Sequence, residues 1–153
     1  MKILDILDPA VIVPEMRATT KPEALHELAA TLASRHPPID ENRLVEVLLE
    51  REELGSTAIG EGIAIPHGKL AGVPNLVTAF GRSTRGIDFD SLDGSPTRLF
   101  FLLVAPEDSA GVHLKALARV SRLLKDKSFR ERLFAAGSRE DLYATIKSED
   151  DKY

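Results

Sequence analysis

The sequence predicts a single α/β domain, a mixed β-sheet with helices packed on both faces. Two leucine-rich stretches near the N-terminus and further stripes after residue 109 keep helical spacing, while short β-branched and apolar runs lie between them. RLFFLLVA, residues 98–105, is apolar nearly throughout, which suits a central strand covered on both faces better than a half-wet one. Helices before, between and after such strands are the pattern of helices layered on a sheet. At 153 residues the chain has room for one core and no second substrate-binding unit.

Thr20-Lys21-Pro22-Glu23 is a capping-box pattern with proline in the first turn, and Leu25, Leu28, Ala29 and Leu32 follow on one face. A helix is expected over 21–35, stopped by His36-Pro37-Pro38. Asp40 can cap a second helix, striped by Leu44, Val45, Leu48 and Leu49 and ended at Leu54-Gly55. Glycines at 55, 60, 62 and 68 among small and β-branched residues predict a tight loop leading into a strand at Ile63–Ile65. Residues 77–82 read as another strand, and Pro106 closes the one at 98–105. Leu114, Leu117, Val120 and Leu124 extend a helix to about residue 126. Two shorter helices are then expected from the patterns Ser128/Glu131 and Ser138/Asp141, separated at Gly137. The domain is expected over 1–147, with the acidic tail 148–153 frayed.

Composition narrows the function. Hydrophobic residues are 43% and charged residues 29%, which separates the chain from disordered and fibrous classes. A formal charge of -4 argues against nucleic acid as a partner, because phosphate-backbone binders concentrate lysine and arginine. With no cysteine there is no disulfide, thiolate zinc site or cysteine nucleophile, and a cytoplasmic location fits. Asp5 and Asp8 interrupt the apolar N-terminus, which makes it a poor signal peptide. No apolar run approaches the roughly 20 residues that span a bilayer, so membrane insertion is not expected.

Of the four histidines, none stands three to five residues from another, so neither a helical metal pair nor any cofactor is expected. His26 lies on a helix surface and His36 ends that helix. His67 stands between Pro66, which lacks an amide donor and fixes its own φ, and Gly68, which has no side chain to shield an imidazole. Such a ring would be rigidly aimed and accessible, although Pro-His-Gly is also an ordinary turn at a strand end. His113 shares a helical face with Leu117, Val120 and Leu124 near the helix start, where the dipole favours a neutral ring able to donate to a phosphate. A satisfied histidine at the core edge is the competing reading. Arg51, in the last turn of the second helix, either complements that helix's dipole or joins Gly55-Ser56-Thr57 in holding an anion. Gly60-Glu61-Gly62 lacks the third glycine and following helix of a dinucleotide fingerprint, and no G-x-S-x-G elbow supports a serine hydrolase.

At LGSTAIGEGIAIPHGK, residues 54–69, the sequence resembles the enzyme IIA component of the bacterial phosphoenolpyruvate-dependent phosphotransferase system, of the fructose, mannitol and nitrogen-regulatory type. The resemblance continues upstream through Glu50-Arg51-Glu52 and downstream through residues 86–106 and 113–126, so nearly the whole chain is expected to form one such domain. It implies that His67 accepts a phosphoryl group from a histidine-containing phosphocarrier protein. It further implies that His113 supports the acceptor, that Arg51 lies near the phosphoryl group, and that Ser56 and Thr57 belong to a phosphoryl-binding loop. An imidazole with a pKa near 6.5 is mostly neutral in the cytoplasm and needs no separate base. The wording GSTAIGEGIAIPHGK, with no attached IIB or membrane segment, looks more like the nitrogen-related regulatory branch, which acts through a downstream target protein. The alternatives are a fructose- or mannitol-type subunit that passes the group to a IIB subunit, and a regulatory binding module that is not phosphorylated.

Overall fold

The computed structural model describes residues 2–153. A 3-10 turn, Ile3–Asp5, leads into β1 (Leu7–Val13), α1 (Lys21–Arg35), α2 (Glu41–Glu53), β2 (Ala58–Gly60), β3 (Ile63–Ala64) and β4 (His67–Lys69). The chain continues through β5 (Val77–Ile87), β6 (Thr97–Ala105), α3 (Ala110–Lys125), α4 (Lys127–Ala135) and α5 (Arg139–Asp150). Every side chain from Leu99 to Ala105 is fully buried, which is why the continuous apolar run sits at the centre of the sheet. Each large side chain buried there contributes about 1.5–3 kcal/mol relative to exposure.

β6 pairs antiparallel with β5 on one side and parallel with β3 and then β4 on the other. β1 runs parallel to β5, and β2 antiparallel to β3, which gives the order β1-β5-β6-β3-β2 in a mixed sheet. Helices cover both faces, as adjacent residues of β5 demonstrate. A Cβ on Gly81 would meet Leu28 of α1 and Met16, which precedes that helix, whereas Arg82, pointing the other way, donates to the carbonyls of Leu133 in α4 (2.8 Å) and Ala136 (2.5 Å).

The two N-terminal helices run as the capping patterns predict, with Thr20 accepting from the Glu23 amide and Asp40 from the Arg43 amide. One feature was not foreseen in the sequence and two differ from its expectation. β1 is a strand despite Asp8 and Pro9, because it lies at the sheet edge and its register shifts between Leu7 and Ile12, so that proline disturbs no continuous ladder. α4 is capped by Asp126, whose carboxylate accepts the Phe129 amide at 3.2 Å, rather than by Ser128. Nor does the chain fray from residue 148: α5 continues through Asp150, and Glu149 and Asp150 are fully buried.

The physical reason is an ion pair that sequence spacing does not reveal. Asp150 Oδ1 accepts Arg119 Nε at 2.8 Å, its Oδ2 accepts the Leu4 amide at 3.2 Å, and its carbonyl accepts Lys2 Nζ at 2.8 Å. One buried residue thus ties α5 to α3 and to the N-terminal turn. Asp150→Ala leaves Arg119 unpaired and should lower the unfolding free energy by about 3–5 kcal/mol in urea titrations. A frayed tail would give a change within about 0.5 kcal/mol.

Candidate functional site

β3 and β4 are one edge of β6 interrupted at Ile65-Pro66. The Pro66 carbonyl accepts the Leu103 amide at 3.0 Å and the Ile65 amide donates to the Thr57 carbonyl at 3.1 Å, so both flanks of the break are pinned. β4 pairs with β6 alone, which leaves its other edge without a strand among the described residues. Side chains alternate along this edge. Gly68 faces α2 so closely that a Cβ would come within 2.8 Å of Val47, and His67 therefore points to the α3 side. The glycine serves the approach of α2, a different reason from the unshielded imidazole that sequence suggests.

The His67 ring is half-buried, with Nδ1 2.8 Å from the Ile65 carbonyl oxygen. A carbonyl can only accept, so Nδ1 carries the proton and Nε2 keeps its lone pair. His113, in the first turns of α3, is buried and meets His67 edge to face, with ring centroids 5.3 Å apart and planes at 80°. Its Nε2 is buried with no hydrogen-bond partner among the described residues. Burial pushes the His67 pKa below 6.5; the Ile65 bond opposes this, Arg51 adds to it, and Glu52 opposes it. Burial also lowers the pKa of His113, helped by the charges of His67 and Lys69. Both shifts favour the neutral form of the rings.

Both histidines open into a cleft of about 670 Å³ between α2 and α3, which Arg51 and Lys69 also line. Arg51 donates to the Gly55 carbonyl at 2.9 Å, which holds its guanidinium over the loop that follows α2. Leu54 and Leu114 flank the cleft with 85% and 67% of their surface exposed, an apolar rim that one sequence does not disclose. A slightly larger hollow, about 740 Å³, lies beside β1, but its Asp8 is already bound to Arg35 at 2.7 Å and its one histidine, His36, caps α1. The two facing histidines thus lie in the first cleft, not in the larger hollow.

The structure therefore brings together His67, His113 and Arg51. Ser56 and Thr57 follow on the adjacent loop, but their hydroxyls are engaged elsewhere: Ser56 donates to the Phe89 carbonyl at 2.6 Å, and Thr57 donates to Glu52. Neither lines the cleft. Glu52 had no assigned role in the sequence, and its position next to Arg51 was the only available signal. Among the described residues no group of three or more His, Asp or Glu is placed to hold a metal ion, and no helix is long and apolar enough to cross a membrane.

Residues 5–149 match the family described as "Phosphoenolpyruvate-dependent sugar phosphotransferase system, EIIA 2". The chain is 44% identical over 146 residues to a nitrogen regulatory protein of Bradyrhizobium diazoefficiens, covering 95% of each. It is 40% identical over 152 residues to the fructose-specific EIIABC component of Bacillus subtilis, matching 99% of this chain but 24% of that protein. In three dimensions it is similar to the nitrogen regulatory protein IIA-Ntr of Neisseria meningitidis, with a TM-score of 0.86, 36% identity, and 93% and 97% of the two chains covered.

The lowered histidine pKa values have a stability consequence. On acidification the unfolded chain takes up these protons first, so the stabilisation is complete above pH 6.5 and is lost as the pH falls through the folded-state values. Urea midpoints should therefore drop between about pH 7.5 and about pH 5, and a His67→Gln, His113→Gln double variant should lose less over that interval. Equal losses in the two proteins would show that the pair does not titrate in this way.

Proposed function

The chain belongs to the phosphotransferase-system EIIA type-2 family, and from that premise we propose that it is a phosphoryl carrier whose His67 Nε2 accepts a phosphoryl group from a phosphohistidine on a donor protein. The observation that carries this reading is the His67 ring itself, held with Nδ1–H on the Ile65 carbonyl and Nε2 free beside His113. The Nε2 lone pair forms a new P–N bond as the donor's P–N bond breaks. The electron pair returns to the donor nitrogen, and that ring leaves neutral when its second nitrogen bears a proton. His67 keeps its Nδ1 proton and becomes a phosphorylated imidazolium, with no water or metal consumed.

One P–N bond replaces another, so the protein's work is positioning and charge stabilisation. His113 Nε2, buried and without a partner, is placed to donate to a phosphoryl oxygen once protonated at that atom. Arg51 supplies positive charge from the opposite wall of the cleft. The phosphoryl-binding role implied for Ser56 and Thr57 would require their hydroxyls to leave Phe89 and Glu52; in the present geometry the two residues act through the placement of their loop. Leu54 and Leu114 offer the donor an apolar rim that excludes water from the transfer.

The likeness to nitrogen regulatory proteins favours a cytoplasmic carrier whose phosphorylation state is read by a regulatory target. A second reading, transfer onward to a IIB subunit in sugar uptake, draws on the equally extensive match to the fructose-specific component.

Incubation with phosphoenolpyruvate, enzyme I and the phosphocarrier protein should add one phosphoryl group, labile in acid and stable in alkali. His67→Ala should take up none, and label on that variant would overturn the acceptor assignment. His113→Ala and Arg51→Ala should each slow transfer by about 10²-fold while the fold survives. Partner binding without label in the native protein would instead indicate a purely regulatory binding module.

A further inference from the structure

We infer that Glu52, together with Lys21, is the positioning residue that fixes the aim of the His67 ring, acting through Thr57 and Ile65. This deepens the proposed acceptor role and rests on it. Consecutive residues of a helix point about 100° apart. In the last turn of α2 this sends Arg51 to the cleft and Glu52 beneath the following loop, where it is 8% exposed. Its Oε1 accepts the Thr57 amide at 3.1 Å and meets Lys21 Nζ at 2.9 Å, and its Oε2 accepts the Thr57 hydroxyl. A carboxylate this deep costs several kcal/mol to desolvate, a cost that the three donors offset.

From Thr57 the contacts run to the acceptor without a gap. The Thr57 carbonyl accepts the Ile65 amide at 3.1 Å, and the Ile65 carbonyl accepts His67 Nδ1 at 2.8 Å. Lys21 braces the same loop from its other side. Its Nζ lies 4.9 Å from the Phe89 ring centre and 3.4 Å from Asp90, and the Phe89 carbonyl accepts the Ser56 hydroxyl. The loop from Gly55 to Ala58 is thus clamped between the Glu52 carboxylate and the Phe89 backbone, with Lys21 bonded to that carboxylate and set over the Phe89 ring. A slip of the Ile65 carbonyl would release Nδ1, admit the other tautomer and turn Nε2 away from the phosphorus.

A merely structural ion pair would change stability and nothing else. A positioning role makes further demands. In Glu52→Gln, the transfer rate at saturating phosphorylated donor protein should fall about tenfold or more, while the donor concentration giving half the maximal rate changes little. Thr57→Val should reproduce the loss, Thr57→Ser, which keeps the hydroxyl, should lose less, and the Glu52→Gln, Thr57→Val double variant should be no slower than the worse single one. In the free proteins, the His67 ring proton signals followed against pH should report a lower pKa in Glu52→Gln and also in Thr57→Val, which keeps the carboxylate, because the Ile65 bond that favours imidazolium is loosened in both. That titration needs no phosphoryl donor. A native protein that takes no label would sink the acceptor reading, while the titration would still decide the role of Glu52. Should Glu52→Gln fail to fold, the two Thr57 variants carry the rate and titration tests alone. Folded variants with native rates and an unmoved His67 titration would overturn the inference.

Discussion

Everything at the candidate site depends on one hydrogen bond, from His67 Nδ1 to the carbonyl two residues earlier. It exists because the strand along β6 breaks at Pro66. A continuous strand would direct the Ile65 carbonyl sideways into a ladder; here it turns to the imidazole while the flanking Thr57 and Pro66 carbonyls take the neighbouring amides. A net gain of about 0.5–1.5 kcal/mol is typical of such a bond, small against the whole domain yet sufficient to select one tautomer.

The proposed acceptor role puts two demands on that ring. A nucleophile must be uncharged, which burial secures by opposing imidazolium, and it must be reachable, which an edge strand secures by leaving one side open. The half-buried state of His67 satisfies both. Around it, α2 and α3 supply what an anionic phosphoryl group requires from two faces of the sheet: a guanidinium from one and an unpartnered imidazole nitrogen from the other. The burial of β6 gives this edge a rigid backing, so that side chains distant in sequence hold their spacing.

Much of this was legible in the sequence, for local reasons. Thr20, Asp40 and Ser138 announce their helices because a cap is a contact between residues three apart, and the run at 98–105 announces the central strand because burial on both faces leaves no polar alternation. His67, His113 and Arg51 were singled out through the family resemblance, and the fold brings the three to one cleft. What escaped was carried by distant partners. β1 is a strand because β5 is there to pair with, and the C-terminal residues are held because Arg119, Leu4 and Lys2 meet Asp150. The hydroxyls of Ser56 and Thr57 look free in the sequence, and nothing local says that Phe89 and Glu52 claim them. Gly68 was noticed, but its reason, the proximity of Val47, belongs to packing.

The most direct test is the protonation state of one ring. Long-range ¹⁵N–¹H correlation spectra of the unphosphorylated protein near neutral pH should give His67 a protonated, pyrrole-like Nδ1 and a lone-pair-bearing, pyridine-like Nε2. A proton on Nε2 in place of Nδ1, or a fully protonated ring at that pH, would contradict the account, because the nitrogen that is meant to attack phosphorus would have no electron pair to give.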